Sequence, residues 1–340
     1  MAIRVGINGF GRIGRNFYRA VKEQGADIEV VAVNDLTSIA TNAHLLKYDT
    51  THGRLKENVE ALENGIKVGD HVIKVFSERD PKALPWGELG CDVVIESTGI
   101  FTDGTKAVAH IDAGAKKVII SAPGTNVDAT FVVGVNDGDY DSVNHKIVSN
   151  ASCTTNCFVP MIKVLDDAFG VHKGLMSTVH AYTNDQNLLD LAHKDLRRAR
   201  AAAANIVPST TGAAKATGLV LQAMAGRLDG TSLRVPVPDG SITDATVILN
   251  GTYTKDQINE AYEAAATSGP LSKVLEYSTA PLVSSDIVGT PFSCTIDSNM
   301  TMAMDLENGT TLVKVFGWYD NEWGYSNRLV DLAAIIGSSL

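Results

Sequence analysis

Apolar positions along the first 150 residues switch between two periods. Short β-branched runs at Ile3–Asn8 and Ile28–Asn34 flank a segment, Arg12–Gln24, with the spacing of an amphipathic helix, which predicts a βαβ unit. Further apolar runs at 93–96, 117–121 and 130–133, with a helix-like stretch at 106–113, extend this into a mostly parallel sheet. Residues 59–74 read instead as a short hairpin insertion. Beyond residue 150 the runs lengthen: strands are predicted at 174–182, 233–237, 244–249 and 311–319, and helices at 154–169, 212–224, 255–267 and 326–336. The turn Glu307-Asn308-Gly309-Thr310 lies between two alternating runs and is a strong hairpin signal. The expected fold is therefore an α/β domain of Rossmann type followed by an α+β domain with a mostly antiparallel sheet. Between the strand at 174–182 and the helix at 212–224 lies the charged run Lys194-Asp195-Leu196-Arg197-Arg198-Ala199-Arg200, readable as a solvated face or as an anion site.

Composition narrows this picture. At 340 residues the chain has room for about two domains. The longest stretch without Lys, Arg, Asp or Glu, residues 147–162, is broken by Ser, Asn and Thr, so no membrane-spanning helix is expected. The start, Met1-Ala2-Ile3-Arg4, lacks a basic region followed by an apolar run, which points to a cytoplasmic protein. A net charge of −10 argues against nucleic acid as the main partner, though it permits a local basic patch. Four cysteines are too few for a disulfide scaffold and suit a reducing compartment, where a single thiol matters for its reactivity.

Two motifs carry chemistry. Gly9, Gly11 and Gly14 form a GxGxxG set that follows a predicted strand and opens a predicted helix, and Asp35 ends the next strand 21 residues after the last glycine. This context is the dinucleotide fingerprint: Gly9 for the tight turn, Gly11 for close approach of backbone to the pyrophosphate, Gly14 for helix–strand packing. Asp35 would accept from the adenosine ribose hydroxyls and repel a 2′-phosphate, so NAD is expected over NADP. The second motif, Ser149-Asn150-Ala151-Ser152-Cys153-Thr154-Thr155-Asn156-Cys157, places Cys153 at a helix N-terminus. There, helix amides and a neighbouring imidazole can depress the thiol, and a lowering of about two units makes thiolate the majority form at neutral pH. Cys157, one turn deeper, is expected to pack; a Cys-x3-Cys pair without a second cluster is poor zinc spacing and awkward for a disulfide, so no metal is expected. His180, within Ser177-Thr178-Val179-His180-Ala181, is either a satisfied core histidine or the partner of Cys153.

INGFGRIGR, LLKYDT, ESTGIF, KKVIISAP, SNASCTTNC, VHAYTNDQ, HKDLRRARAAAANIVPSTTGAAKA, LRVPVP and GWYDNEWGYSNR together cover nearly the whole chain, which resembles the phosphorylating glyceraldehyde-3-phosphate dehydrogenase family. The resemblance implies a nucleotide-binding domain of residues 1–151 and 320–340 and a catalytic domain of 152–319. It implies that Cys153 attacks the aldehyde of glyceraldehyde 3-phosphate with His180 as base, giving a thiohemiacetal, then a thioester that inorganic phosphate cleaves to 1,3-bisphosphoglycerate. Ser152, Thr154, Thr211 and Gly212 would hold the attacking phosphate; Thr183, Arg198 and Arg234 would hold substrate and incoming anions. Arg12, Ile13, Arg79 and Ser121 would join the NAD site, and Asn321 would bind the nicotinamide amide. A homotetramer and a place in glycolysis or gluconeogenesis are also implied. Phe158 and Val159 replace a smaller aliphatic residue and Ala before Pro160, and Ala192 stands where the family often has Pro, near the adenosine ribose of a neighbouring subunit. The first departure reads either as compensated packing drift in the core or as an isoenzyme tolerant of a thiol-directed inhibitor. The alternatives are erythrose-4-phosphate dehydrogenase and a redox-sensing interaction protein that uses Cys153 without turnover.

Overall fold

The computed structural model describes residues 2–340, which divide into two compact units: residues 2–131, 136–151 and 326–340, and residues 132–135 and 152–325. The division falls inside helix Trp323–Gly337, whereas the sequence reading put it at 320. The reason is local. Strand Thr310–Tyr319 runs straight into a turn in which Asp320 accepts from the backbone N–H groups of Glu322, Trp323 and Gly289, so these residues stay with the strand.

The first unit carries a nine-stranded sheet. Its order is Ala129–Thr130, Ile147–Ser149, Lys117–Ile120, Val93–Glu96, Ile3–Asn8, Ile28–Asn34, His71–Phe76, Gly65–Val68 and Val59–Ala61. All neighbours pair in parallel except the last three strands, which form an antiparallel meander. The expected hairpin at 59–74 is thus a three-stranded extension joined to the sheet edge through His71–Phe76. Helix Ile39–Lys47, capped by the Ser38 hydroxyl, was not anticipated. Chain order reverses between Ile3–Asn8 and Val93–Glu96, which opens a crevice beyond their carboxyl ends, the usual ligand position in an open α/β sheet.

The second unit is built on a mixed sheet with strands Val207–Thr210, Leu228–Val235, Val171–Ala181, Ser241–Asn250, Thr310–Tyr319, Cys294–Asp297 and Leu275–Ser278 in order, and Met302–Asp305 paired to Thr310–Tyr319 as the predicted hairpin. Five of its seven pairings are antiparallel. Helix Cys153–Phe169 packs on this sheet with Cys157, Phe158, Met161, Ile162 and Leu165 fully buried. Helix Lys255–Thr267 matches its expected bounds because Thr254 and Gln257 form a reciprocal capping box.

Candidate active site

The first unit ends its central strand at Asn8 and turns through Gly9 at φ +93°, where a Cβ would stand 2.7 Å from the Ser97 carbonyl carbon and the Thr98 amide. A Cβ on Gly14 would stand 2.3 Å from the Gly9 oxygen. Gly11, which caps helix Arg12–Gln24, differs: a Cβ there meets nothing within 4 Å. The space above Gly11 is therefore ligand space, faced by the amides of the first helical turn, which have no intrahelical acceptor. Gly9 N–H donates to the Asn34 carbonyl and Phe10 N–H to Asp35, each at 2.9 Å, and the other Asp35 oxygen accepts from Thr37 N–H. These bonds fix the Asp35 carboxylate while leaving lone pairs for ribose hydroxyls. A cleft of about 400 Å³ is lined by residues that include Asn8, Gly9, Gly11, Asp35, Arg79 and Thr98. Of the other expected cofactor residues, Gly14 lies buried beneath the loop, and Ser121 follows strand Lys117–Ile120 outside the cleft lining. The Arg12 guanidinium is ion-paired with Asp49 at 2.5 Å, so Arg12, like Ile13, offers a backbone amide. The donor set and the open space over Gly11 fit a dinucleotide.

In the second unit Ser152 caps helix Cys153–Phe169, its Oγ accepting from Thr155 N–H at 3.1 Å, and Ala151 before it holds φ +56°, an uncommon conformation outside glycine that costs roughly 1 kcal/mol or more. Cys153 is thus the first helical residue, and it is half-buried. Strand Val171–Ala181 carries His180, 4% exposed, with Nε2 3.4 Å from the Cys153 sulfur. Strand alternation puts Thr178 on the face that carries His180. The Tyr319 hydroxyl bonds both the Thr154 and Thr178 hydroxyls, at 2.8 and 2.7 Å, and its ring meets the imidazole edge-on at 5.9 Å. Tyr319 therefore ties the start of the cysteine helix to the histidine strand.

His180 Nδ1 lies 2.7 Å from the Ala181 carbonyl and 2.5 Å from Arg234 Nη1, which also donates to that carbonyl at 3.1 Å. For Nε2 to take a proton from the thiol it must carry a lone pair, which requires the imidazole hydrogen on Nδ1, donating to the Ala181 carbonyl, and directs the Arg234 hydrogen to that same carbonyl rather than to Nδ1. Burial, aided by the Arg234 charge, pushes the imidazole down to about 3. Burial pushes the Cys153 thiol up to about 11, against the pull of Arg234 and of bonds to Thr154. Both shifts favour the uncharged pair, thiol and neutral imidazole, in the ligand-free site. Desolvation of the sulfur thus opposes the depression that the helix N-terminus and Arg234 favour.

The expected anion residues fall into three groups. Arg234 adjoins the pair, and Arg198 bears on Arg234 electrostatically while its own guanidinium is held by Asp185 at 2.5 Å and by the Ser209 hydroxyl. Ser152 and Thr154 flank Cys153, but the Thr154 hydroxyl is committed to Tyr319. Thr211 and Gly212 start helix Ala213–Val220, where the Thr211 hydroxyl accepts from Ala213 N–H, and Thr183 N–H donates to Gln186 at 3.4 Å; among the described residues no hydrogen bond links these three to Cys153 or His180. Asn321 Oδ1 accepts from the Ser241 hydroxyl, which itself accepts from Ala181 N–H, so the Asn321 side chain presents its NH₂ edge. Sequence reasoning missed Tyr319, Thr178 and Ser241; the period-two alternation around His180 could have pointed to Thr178, and nothing in the sequence pairs Tyr319 with it.

Comparison with known proteins agrees with this geometry. The family model described as glyceraldehyde 3-phosphate dehydrogenase, NAD binding domain, matches residues 3–104, and that for the C-terminal domain matches residues 152–321. The glyceraldehyde-3-phosphate dehydrogenase of Streptomyces coelicolor is 62% identical over 340 residues, covering the whole of both chains. Glyceraldehyde-3-phosphate dehydrogenase 2 of Streptomyces avermitilis is also 62% identical over both full lengths, and the enzyme of Mycobacterium avium is 60% identical over 346 aligned positions with the same coverage. With both domains matched in order and identity sustained from end to end, this chain belongs to the glyceraldehyde-3-phosphate dehydrogenase family and is an NAD-dependent oxidoreductase of glyceraldehyde 3-phosphate.

Proposed function

We propose that Cys153 is the nucleophile and His180 its general base, and the observation that carries this is the 3.4 Å approach of sulfur to Nε2 beside Arg234. With burial favouring the uncharged thiol and imidazole, proton transfer accompanies attack: the sulfur–carbon bond forms as Nε2 takes the thiol proton, which then reaches the aldehyde oxygen to give the thiohemiacetal. His180 takes that hydroxyl proton as the thiohemiacetal is oxidised to the thioester. NAD, when bound, supplies the hydride acceptor. Inorganic phosphate then attacks the thioester carbon and releases 1,3-bisphosphoglycerate, and the departing Cys153 sulfur recovers its proton from His180. Arg234, with Arg198, the Thr183 hydroxyl and the amides of Thr154 and Gly212, holds the substrate and attacking phosphates; Ser152 and Thr211 contribute hydroxyls. Gly9, Gly11, Arg12, Ile13, Gly14, Asp35, Arg79 and Ser121 form the cofactor site and Asn321 meets the nicotinamide amide.

The test is NADH formation from glyceraldehyde 3-phosphate, NAD and phosphate. Without phosphate, one NADH per active thiol is expected before the reaction stalls. Cys153→Ser should abolish the burst and His180→Asn should slow it by about a hundredfold or more, within the range of general-base catalysis. A burst surviving Cys153→Ser refutes the assignment, and a higher kcat/KM for erythrose 4-phosphate would reassign the substrate. A homotetramer in the cytoplasm is part of the same proposal. Exposed leucines at 188, 189, 191 and 196 support an assembly, and sedimentation and fractionation test these points. Phe158 and Val159 are fully buried in the Cys153 helix, and we extend the proposal to inhibitor tolerance. Equal inactivation of the protein and of Phe158→Leu/Val159→Ala by an epoxide would remove that extension.

A further inference from the structure

Below the dinucleotide cleft lies a carboxylate that the fingerprint does not use. Glu96 ends strand Val93–Glu96 at 2% exposure, and His110, on helix Gly104–Asp112, has none. One Glu96 oxygen accepts from Asn8 Nδ2 at 2.6 Å and His110 Nε2 at 2.9 Å; the other accepts from Thr98 N–H at 2.8 Å and the Thr98 hydroxyl at 2.5 Å. The Trp86 indole N–H donates to His110 Nδ1 at 3.0 Å, so Nδ1 carries the lone pair and Nε2 the hydrogen directed at Glu96. All four partners are donors, an arrangement that a carboxylate satisfies and an amide or a carboxylic acid does not. Asn8 passes the chain on: its Oδ1 accepts from Asn34 Nδ2, and Asn34 exchanges two bonds with the backbone of Glu78.

Asn8, Asn34, Glu78 and Thr98 all line the cleft. One buried network therefore joins the ends of three strands to its walls. Burying a carboxylate without a cationic partner is costly, and an apolar core of similar volume would hold the sheet together at least as well. What the hub adds is fixed loop position. We propose that Glu96 is a positioning residue for the dinucleotide: its carboxylate holds the loops at 8–11 and 97–101 at the spacing that the pyrophosphate requires, and His110, oriented by Trp86, holds the carboxylate. The inference rests on the reading of this cleft as the NAD site.

The experiment uses the full-length protein and four readouts: NAD dissociation constant by calorimetry, kcat at saturating NAD, melting temperature, and alkylation of Cys153 by iodoacetamide without NAD. Glu96→Gln keeps the shape but turns one acceptor into a donor. It should weaken NAD about tenfold or more, the equivalent of about 1.4 kcal/mol, while kcat and the alkylation rate stay within about threefold. His110→Phe should behave alike, and His110→Gln, which restores a donor and an acceptor, should recover part of the affinity. Should Glu96→Gln fail to fold, Thr98→Val removes one donor and should weaken NAD by about threefold, within the worth of one hydrogen bond. Unchanged NAD affinity in these variants, with or without a lowered melting temperature, overturns the proposal. Gly11→Ala separates the two levels: if it weakens NAD and Glu96→Gln does not, only the hub fails, and if neither does, the cleft is not the cofactor site.

Discussion

Tyr319→Phe isolates one hydroxyl. The ring is 1% exposed and its edge-on contact with His180 survives in Phe, so the substitution removes only the two bonds, at 2.8 and 2.7 Å, to Thr154 and Thr178. At roughly 0.5–1.5 kcal/mol per bond, the stability loss is about 1–3 kcal/mol. Its upper end is reduced because the Thr178 hydroxyl can still reach the Ile242 carbonyl, 3.4 Å away. The larger effect falls on turnover. Sulfur and Nε2 sit at 3.4 Å, close to the limit for a productive proton transfer, and they are carried by a helix and a strand that Tyr319 joins. Misplacement by about 1 Å can cost roughly a hundredfold in rate, so kcat should fall by about ten- to a hundredfold, with KM for the aldehyde within about threefold. Steady-state NADH formation at saturating substrates measures both, and calorimetric NAD binding should be unchanged because the Tyr319 hydroxyl bonds Thr154 and Thr178 and none of the cofactor residues. A variant with a lower melting temperature but kcat within about twofold of the parent would show that the hydroxyl only packs, and the positioning argument would be wrong.

Three further outcomes follow from the same geometry. With the thiol pushed up to about 11, iodoacetamide alkylation of Cys153 in the ligand-free protein should keep accelerating from neutral pH toward pH 10; a rate already level at pH 7 would mean a thiolate and would refute the neutral pair. Asp239 is pushed up to about 9 by burial and by the charges of Asp320 and Glu322, so the folded chain keeps a proton there that the unfolded chain releases near the ordinary carboxylate value. That contribution is full below about pH 4 and is lost as pH rises toward 9, so Asp239→Asn should flatten the fall in melting temperature across this window, and parallel curves would contradict it. Gly14→Ala, with its Cβ 2.3 Å from a carbonyl, should lower the melting temperature and NAD affinity together, while Gly11→Ala should weaken NAD at an unchanged melting temperature; equal thermal losses would refute the distinction.

What the sequence disclosed follows the range of the forces involved. Gly9 and Gly14 were legible because a steric demand within a single turn leaves no other residue, and Lys255–Thr267 because its capping box is written in adjacent positions. The charged run at 194–200 was ambiguous, and the structure shows Arg198 turned to Asp185 and Ser209. The approach of His180 to Cys153 spans 27 residues, and that of Tyr319 to Thr154 spans 165, set by the packing of helix Cys153–Phe169 across four strands of the second sheet. No local pattern encodes either distance. The thiol shows a related limit: a helix N-terminus is visible in sequence, whereas the desolvation that opposes it is a property of the folded surroundings.

The acidic balance of the chain sharpens the same point. A net charge of −10 gives no long-range attraction for a phosphorylated aldehyde or for phosphate, so affinity has to come from local guanidinium groups. Both are already engaged: Arg198 by Asp185 and Ser209, Arg234 by the Ala181 carbonyl. At Arg198 an arriving anion exchanges with these partners inexpensively, because the Asp185 side chain is 44% exposed and returns to water when released. At Arg234 the buried Nε has no hydrogen-bond partner among the described residues, so an anion can be met there while the Ala181 carbonyl keeps its bonds and the imidazole tautomer that catalysis needs stays in place. The cations are thus held in position without being neutralised by a buried carboxylate, which would have required a far larger penalty to break.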